Sequence, residues 1–243
     1  MPRFFIDDSP NGSLVELKEE DAHHITRVLR MKTGEGLTLC DSKGNDYICK
    51  IKSIEKNNVI CEILQKDLSK GEAKANVTLY MALPKGDKMD FIVQKAVELG
   101  AKRIVPFIAE RSVSRPDKKT LIKKCERWRK IAREAAMQSE RGIIPEISSV
   151  LTYENAVCEA SKHQFALFLY ENEKNTTIRD VLFGKEISSV ALMVGPEGGF
   201  SEQETHTAYK NNMQSVSLGP RILRCETAPL TAISIVMYES GGI

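Results

Sequence analysis

Val190-Ala191-Leu192-Met193-Val194-Gly195-Pro196-Glu197-Gly198-Gly199-Phe200-Ser201 is an unbroken apolar run that ends in a glycine-rich turn. A short continuous apolar run fits a strand buried on both faces. A helical pattern from Glu202 to Asn211 follows, so the turn sits between the carboxyl end of a strand and a helix. That is where α/β proteins place ligands. Gly198 and Gly199 permit positive φ and close backbone approach. Ser201 followed by Glu204 three residues on spells a capping box. No Lys-Ser/Thr follows, so this is not a Walker loop, and the Gly-x-Gly-x-x-Gly spacing is absent. Many strand–helix turns contain glycines, and the turn alone leaves structural and ligand-binding roles both open.

The same alternation extends outward from this stretch. Apolar strand-like runs recur at 77–83, 104–108, 165–170, 190–194 and 215–218. Helical patterns lie at 88–99, 118–138, 153–161, 202–211 and 228–238. Continuous apolar strands alternating with helices predict an α/β domain with a mostly parallel sheet covered on both faces. Residues 1 to about 66 have a different texture. Short β-rich runs at 37–40, 47–54 and 59–64 are separated by Ser42-Lys43-Gly44-Asn45 and Lys56-Asn57-Asn58 as turns. Tyr47, Cys49 and Ile51 alternate with polar or outward positions, as in a strand with one buried face. One helix is expected from Glu19 to Met31, closed by Gly34. This reads as a small barrel-like β domain. Residues 67–76 lack an apolar period and read as a linker. The expected division is therefore 1–70 and 74–243.

Bulk properties narrow the classes. Of 243 residues, 42% are hydrophobic and 28% charged, the balance of a globular chain. The longest apolar runs are strand-sized, far below the roughly 18 residues of a membrane span. The N-terminus turns acidic at Asp7-Asp8, unlike a signal peptide. A cytoplasmic protein is expected. Cysteines at 40, 49, 61, 125, 158 and 225 show no Cys-x-x-Cys and no zinc spacing, and most lie in apolar runs. Free buried thiols are expected, and no metal site.

Charge is unevenly distributed. Residues 111–141 carry 11 Lys/Arg against 4 Asp/Glu, whereas the first 70 carry 11 against 12. A basic concentration of this kind suits a polyanionic partner, RNA or DNA, although a solvated helix face has the same composition. Within it, Leu121, Cys125, Trp128, Ala132 and Ala135 form one apolar stripe at helical spacing. Lys118, Lys119, Lys123, Arg127, Lys130 and Arg133 fill the rest of the circumference. Trp128, on the stripe, is expected in the core rather than as a base-stacking platform.

Three further segments carry chemistry-bearing residues. Leu218-Gly219-Pro220-Arg221-Ile222-Leu223-Arg224-Cys225-Glu226-Thr227-Ala228-Pro229 places two arginines and a glutamate between a tight turn and the last helix. Thr227 reads as its N-cap, and Pro229 falls in the first turn. Arg221, Arg224 and Glu226 do not suit a core, since buried charges must be paired, and are either functional or an Arg–Glu pair tying the loop down. Lys85 to Gly100 reads as a polar turn and an amphipathic helix, and Arg127 to Arg141 continues the basic helix.

In this order, with the glycine turn, these segments resemble the SPOUT methyltransferases, and specifically the 16S rRNA uracil-N3 methyltransferases of the RsmE family. His23-His24-Ile25-Thr26-Arg27-Val28-Leu29-Arg30 resembles the helix of that family's PUA-like domain. The resemblance covers nearly the whole chain. Cys225 stands where a threonine is usual, Glu140 where a small residue is common, and His23 where an arginine is common.

The resemblance implies a trefoil-knotted domain behind a PUA-like β-barrel, a homodimer, and S-adenosylmethionine as methyl donor to 16S rRNA of the small ribosomal subunit. It implies cofactor-binding loops at Leu169-Tyr170, at Val194-Gly195-Pro196-Glu197-Gly198-Gly199, and at Leu218, Gly219, Ile222 and Leu223, with Thr227 beyond. Arg224 is the expected stabiliser of the deprotonated uracil ring, and Glu226 its orienter or a proton acceptor through water. Arg3, Arg27, Arg30, Lys88, Arg111, Arg127 and Arg129 are the expected RNA contacts. The alternatives are a related ribose 2′-O-methyltransferase and a non-catalytic rRNA-binding assembly factor. The first is disfavoured by Arg224-Cys225-Glu226-Thr227-Ala228 where an asparagine-bearing motif is usual. A nucleotide-phosphate binder would need a lysine this turn lacks.

Overall fold

The computed structural model describes residues 1–56 and 58–242. The chain divides into one compact unit of Met1–Glu72 with Ala136–Ile144, and a second of Ala73–Ala135 with Pro145 onward.

The first unit contains β1 (Arg3–Phe5), β2 (Leu14–Lys18), α1 (Glu19–His23), β3 (Gly36–Cys40), β4 (Asn45–Ile54) and β5 (Asn58–Leu68). They form a curled five-stranded sheet in the order β1-β3-β4-β5-β2, antiparallel except where β1 pairs with β3. Irregularities at Ile48/Cys49 and Ile51/Ser53 in the β4–β5 ladder add local twist. Tyr47, Cys49 and Ile51 point inward as their alternation predicts, meeting Phe4, Leu17, Ile25, Leu37 and Leu39 in the core. Burying each large aliphatic side chain is worth about 1.5–3 kcal/mol. In the turn after β3, Ser42 and Gly44 both have positive φ. Of the expected turn at 56–58, Asn57 lies outside the described residues and Asn58 already begins β5.

The helix expected from Glu19 to Met31 is shorter. After α1 the backbone widens into a π turn over His24–Val28. Thr26 Oγ1 donates to the Ala22 carbonyl at 2.8 Å, a back-bond that bends helices. Leu29 N then reaches His24 O at 2.9 Å and Met31 N reaches Ile25 O at 3.0 Å. Arg30, at φ 53°, ends the segment well before Gly34.

The expected linker is also structured. Its first two residues complete β5, and Glu72 accepts Arg141 Nη2 at 2.7 Å and Nε at 3.1 Å. Arg141, counted in the basic stretch, is buried.

The second unit runs β6 (Asn76–Ala82), α2 (Lys88–Glu98), β7 (Arg103–Ile108), α3 (Lys118–Gln138), β8 (Glu146–Ile147), β9 (Leu151–Thr152), α4 (Tyr153–Ala160), β10 (Phe165–Leu169), α5 (Ile178–Leu182), β11 (Ser189–Val194), α6 (Glu202–Lys210), β12 (Gln214–Val216) and α7 (Thr227–Glu239). The last turn of α3 clusters with the first unit. Every strand pair is parallel, in the order β12-β10-β11-β6-β7-β8, with β9 also on β7. The central strands β6 and β11 are buried along nearly their whole length. Alternate residues serve opposite faces. Tyr80, Val105, Phe107, Phe168, Ala191 and Met193 pack with Ala156 and Val157 of α4 and Ala208 of α6. α7 lies against β6 and β11 and packs with α2 and α5. The chain therefore leaves edge strand β12 and returns to the middle of the sheet.

α3 buries Cys125, Trp128, Ala132 and Ala135 as its stripe predicts, with Trp128 Nε1 donating to Asp90 Oδ1 at 3.0 Å. Five cysteines are buried, but Cys158 is exposed, because it falls between the inward Ala156, Val157 and Ala160 on α4. Among the described residues no helix is long and apolar enough to cross a membrane.

Candidate active site

A parallel sheet brings the carboxyl ends of its strands to one edge. The loops leaving β10, β11 and β12 meet there around a pocket of about 450 Å³. That is within the usual range for a small-molecule site. From the β10 loop come Leu169, Tyr170, Glu171 and Lys174. The β11 loop contributes Val194, Gly195, Pro196, Glu197, Gly199 and Phe200. Residues 217–225, with Ala228 and Lys88, complete the wall.

The glycine turn is held from both ends. Ser201 and Glu204 form the expected capping box at the start of α6, with Ser201 N donating to Glu204 Oε2 at 2.9 Å and Glu204 N to Ser201 Oγ at 3.2 Å. Glu110 N also donates to Glu204 at 2.8 Å, so this carboxylate is buried and satisfied. Phe200 anchors the turn in the core, 4.4 Å from the Phe168 ring and stacked on Phe107. Gly195 has to be small, because a β-carbon there would meet the Phe200 ring at 3.0 Å. Gly199 has φ +65°, and a β-carbon there would overlap Glu171 Oε1.

Apolar groups supply much of the remaining lining: Leu169, Val194, Leu218, Ile222 and Leu223. Ile222 is 88% exposed, an unusual position for a large aliphatic side chain unless something covers it.

The charged groups are arranged differently from the sequence expectation. Glu226 does not pair with Arg224. Its Oε2 lies 3.2 Å from Lys88 Nζ, and the same ammonium donates to Glu197 Oε1 at 3.0 Å. Lys85 N also donates to Glu197 Oε1 at 3.2 Å. The Cys225 thiol donates to Glu226 Oε2 at 3.2 Å. That thiol bond, with the backbone and the Lys88 ammonium, holds Glu226 below the usual carboxylate range. Glu197 is also held low: burial opposes this but is outweighed by a backbone N–H, Lys88 and Lys85 N. Hydrogen bonds to Glu197 and Glu226 push the Lys88 ammonium up. Burial and the neighbouring carboxylates push the Cys225 thiol up to about 12. Arg221 and Arg224 are exposed and line the pocket.

Of the expected cofactor-binding residues, Gly198 and Thr227 do not line the pocket. Gly198 turns outward, its carbonyl accepting Arg111 Nη1 at 3.0 Å. Thr227 is the first residue of α7 rather than its cap; that place is taken by Glu226. Glu171, Lys174, Phe200, Ser217, Pro220, Arg221, Cys225 and Ala228 line the pocket without having been among the expected site residues. Glu171 directly follows Leu169-Tyr170, and the strand-edge rule applied one residue further includes it.

The expected RNA contacts separate into classes. Arg3 turns inward: Nη1 and Nη2 donate to the two Asp46 carboxylate oxygens at 2.8 and 2.9 Å, with both side chains nearly buried. It is committed to the fold and is removed from the surface set. Arg27, Arg30, Arg111, Arg127 and Arg129 are exposed. Arg127 is paired with Asp90, and Arg129 Nε donates to Ile147 O at 3.3 Å. Lys88 belongs to the pocket wall.

Residues 71–237 match the family model described as an RNA methyltransferase domain, and residues 17–64 match the RNA methyltransferase PUA domain. The chain belongs to the RNA methyltransferase family. In this RNA methyltransferase, every residue lining the pocket falls inside the matched catalytic domain. Relatives named ribosomal RNA small subunit methyltransferase E include one from Bacillus subtilis, 35% identical over 99% of this chain and 97% of its own length. Another, from Aquifex aeolicus, is 33% identical over 96% and 98%. The crystal structure of a ribosomal RNA small subunit methyltransferase E from Neisseria gonorrhoeae, bound to S-adenosyl methionine, matches with a TM-score of 0.89. It is 35% identical over 98% of this chain and 97% of that one.

Proposed function

We propose that this RNA methyltransferase transfers the methyl group of S-adenosylmethionine to N3 of a uridine in the 16S rRNA of the small ribosomal subunit. The observation that carries the reading is the convergence of three strand-edge loops on one pocket with Arg224 in its wall. The relatives' names supply the substrate class, and two similar solved methyltransferases, from Neisseria gonorrhoeae and Legionella pneumophila, hold S-adenosylmethionine. The pocket suits that cofactor in size, in its aliphatic lining, and in glycines that leave backbone groups approachable.

When bound, S-adenosylmethionine supplies an activated, cationic methyl donor. The protein's task is mainly to hold the acceptor ring in line. Uracil N3 carries a proton at neutral pH and is then a poor nucleophile. A guanidinium beside the ring stabilises the anion left when that proton departs, because the charge spreads onto the flanking carbonyl oxygens. Arg224 has this role: its guanidinium offers several donors in a fixed plane. Glu226, held low in pKa, is a weak proton acceptor and serves as fixed negative charge, so the N3 proton leaves to water.

RNA docks on exposed cations, with Arg27 and Arg30 on the N-terminal unit and Arg111, Arg127 and Arg129 on the other. The threading of residues 217–226 as a trefoil knot, a homodimeric assembly and a cytoplasmic location belong to the same reading. The return of the chain from edge strand β12 to α7 in mid-sheet favours the threading.

Mass mapping of 16S rRNA from cells lacking the gene, with and without complementation, tests this. One methyl on a uracil base should vanish and return. A 16S rRNA mass unchanged by the deletion contradicts the proposal, and a lost methyl located on ribose redirects it to 2′-O chemistry.

A further inference from the structure

We propose that Lys88 is a positioning residue of the reaction pocket, not an RNA-docking cation. It clasps the glycine turn to the arginine–glutamate loop and so holds the cofactor wall closed. The inference rests on the reading of this pocket as the S-adenosylmethionine site.

The clasp joins three parts of the chain that are far apart in sequence. Lys88 opens α2 at the end of the β6 turn, Glu197 is in the turn after β11, and Glu226 precedes α7. One ammonium lies 3.0 Å from Glu197 Oε1 and 3.2 Å from Glu226 Oε2, with Cys225 Sγ at 3.5 Å. Lys85 N adds a second bond from the same turn to Glu197. An ammonium has three donors and no acceptor, so it satisfies two carboxylates at once.

Removing the ammonium leaves the Glu197 and Glu226 carboxylates facing each other without a counter-ion. Like charges held this close to one site repel, and the two loops that carry them both line the cofactor pocket. The same two loops hold Pro196, Gly199, Leu223 and Arg224, so their separation loosens the cofactor and displaces the arginine together. A cation used for phosphate contact acts otherwise: its loss weakens RNA binding and flattens its salt dependence.

The test uses the full-length protein with Lys88→Met and Lys88→Arg. S-adenosylmethionine binding is measured by calorimetry, methyl transfer to unmodified small subunits by steady-state kinetics, and RNA binding across a salt series. Lys88→Met is expected to raise the cofactor Kd and its KM at least tenfold, with the RNA salt slope unchanged. Lys88→Arg, which keeps the charge, is expected to recover most of the cofactor affinity. Should Lys88→Met misfold, Lys88→Gln, which removes the charge but keeps a polar side chain, takes its place with the same tenfold loss expected and the same twofold limit overturning the proposal. A cofactor Kd within twofold of wild type in Lys88→Met overturns the proposal. So does a tighter Kd, since bare carboxylates would then simply attract the cationic ligand. A loss confined to RNA affinity, with a shallower salt slope, also overturns it. Failure of the wild-type protein to bind S-adenosylmethionine would instead sink the assignment of the pocket.

Discussion

The Glu171 carboxylate lies against Gly199, so close that a β-carbon there would overlap Oε1. The contact joins the β10 loop to the glycine turn across the pocket. Gly199 also has φ +65°, which costs an L-residue roughly 1–2 kcal/mol. Gly199→Ala must therefore move either the turn or Glu171. Calorimetry should show cofactor affinity reduced at least tenfold, while the melting temperature falls by only a few degrees, roughly 2–4 °C per kcal/mol of strain. Wild-type affinity in that variant would mean the turn is not part of the cofactor wall.

Arg3 and its exposed counterparts should behave oppositely. Arg3→Ala strands Asp46, nearly buried, without its partner. Breaking a buried pair in this way costs roughly 3 kcal/mol, visible as a lower denaturation midpoint. Arg27→Ala and Arg30→Ala should leave stability unchanged and each reduce the salt slope of RNA binding by about 1. Equal stability losses in all three variants would refute the division.

Asp41 gives the N-terminal unit a defined acid sensitivity. Its carboxylate accepts from Ser9 Oγ, Lys43 N, Asn45 N, Asn45 Nδ2 and Tyr47 Oη. Burial opposes ionisation, but these bonds outweigh it and lower the pKa to about 2. A carboxylate lowered on folding stabilises the fold above its unfolded pKa, near 4, and loses that contribution as pH falls toward 2. Roughly 2 kcal/mol is at stake for a shift of this size. Denaturant midpoints measured from pH 5 to 2 should fall in the wild type and fall less in Asp41→Asn, which starts lower. Parallel curves would show that Asp41 does not carry the effect.

Thiol reactivity offers a check on burial. Alkylation of the native protein at pH 8 should label Cys158, which is exposed, and spare Cys225, whose thiol is pushed up to about 12. Only the thiolate is an effective nucleophile. Peptide mapping that finds Cys225 labelled as fast as Cys158 contradicts the described pocket.

These cases also show what could be seen in the sequence. The longer strands of the parallel sheet, β6, β7, β10 and β11, were legible because a strand buried on both faces is apolar at nearly every position. α3 was legible because its stripe, from Leu121 to Ala135, persists through about four turns. The π turn at His24–Val28 was not, since it depends on the Thr26 back-bond rather than on periodicity. β8, β9 and α5 are too short to establish a period. At the site, the loops were visible as glycines and apolar strand ends, yet the ionic pairing was not. Arg3 finds Asp46 across 43 residues and Lys88 finds Glu197 across 109, and sequence spacing carries no trace of either pair. An arginine two residues from a glutamate suggested a local partnership, whereas Glu226 pairs with the start of a distant helix.

The central claim is methyl transfer to uracil N3 with Arg224 stabilising the ring. Its most direct test is incubation of purified protein with unmodified small subunits and S-adenosylmethionine, followed by nucleoside mass spectrometry, for wild type and Arg224→Ala in parallel. The account predicts one 3-methyluridine per subunit with wild type, and none above background with Arg224→Ala even though that variant still binds the cofactor. Methylation of ribose, or 3-methyluridine formed at the wild-type rate by Arg224→Ala, would contradict it.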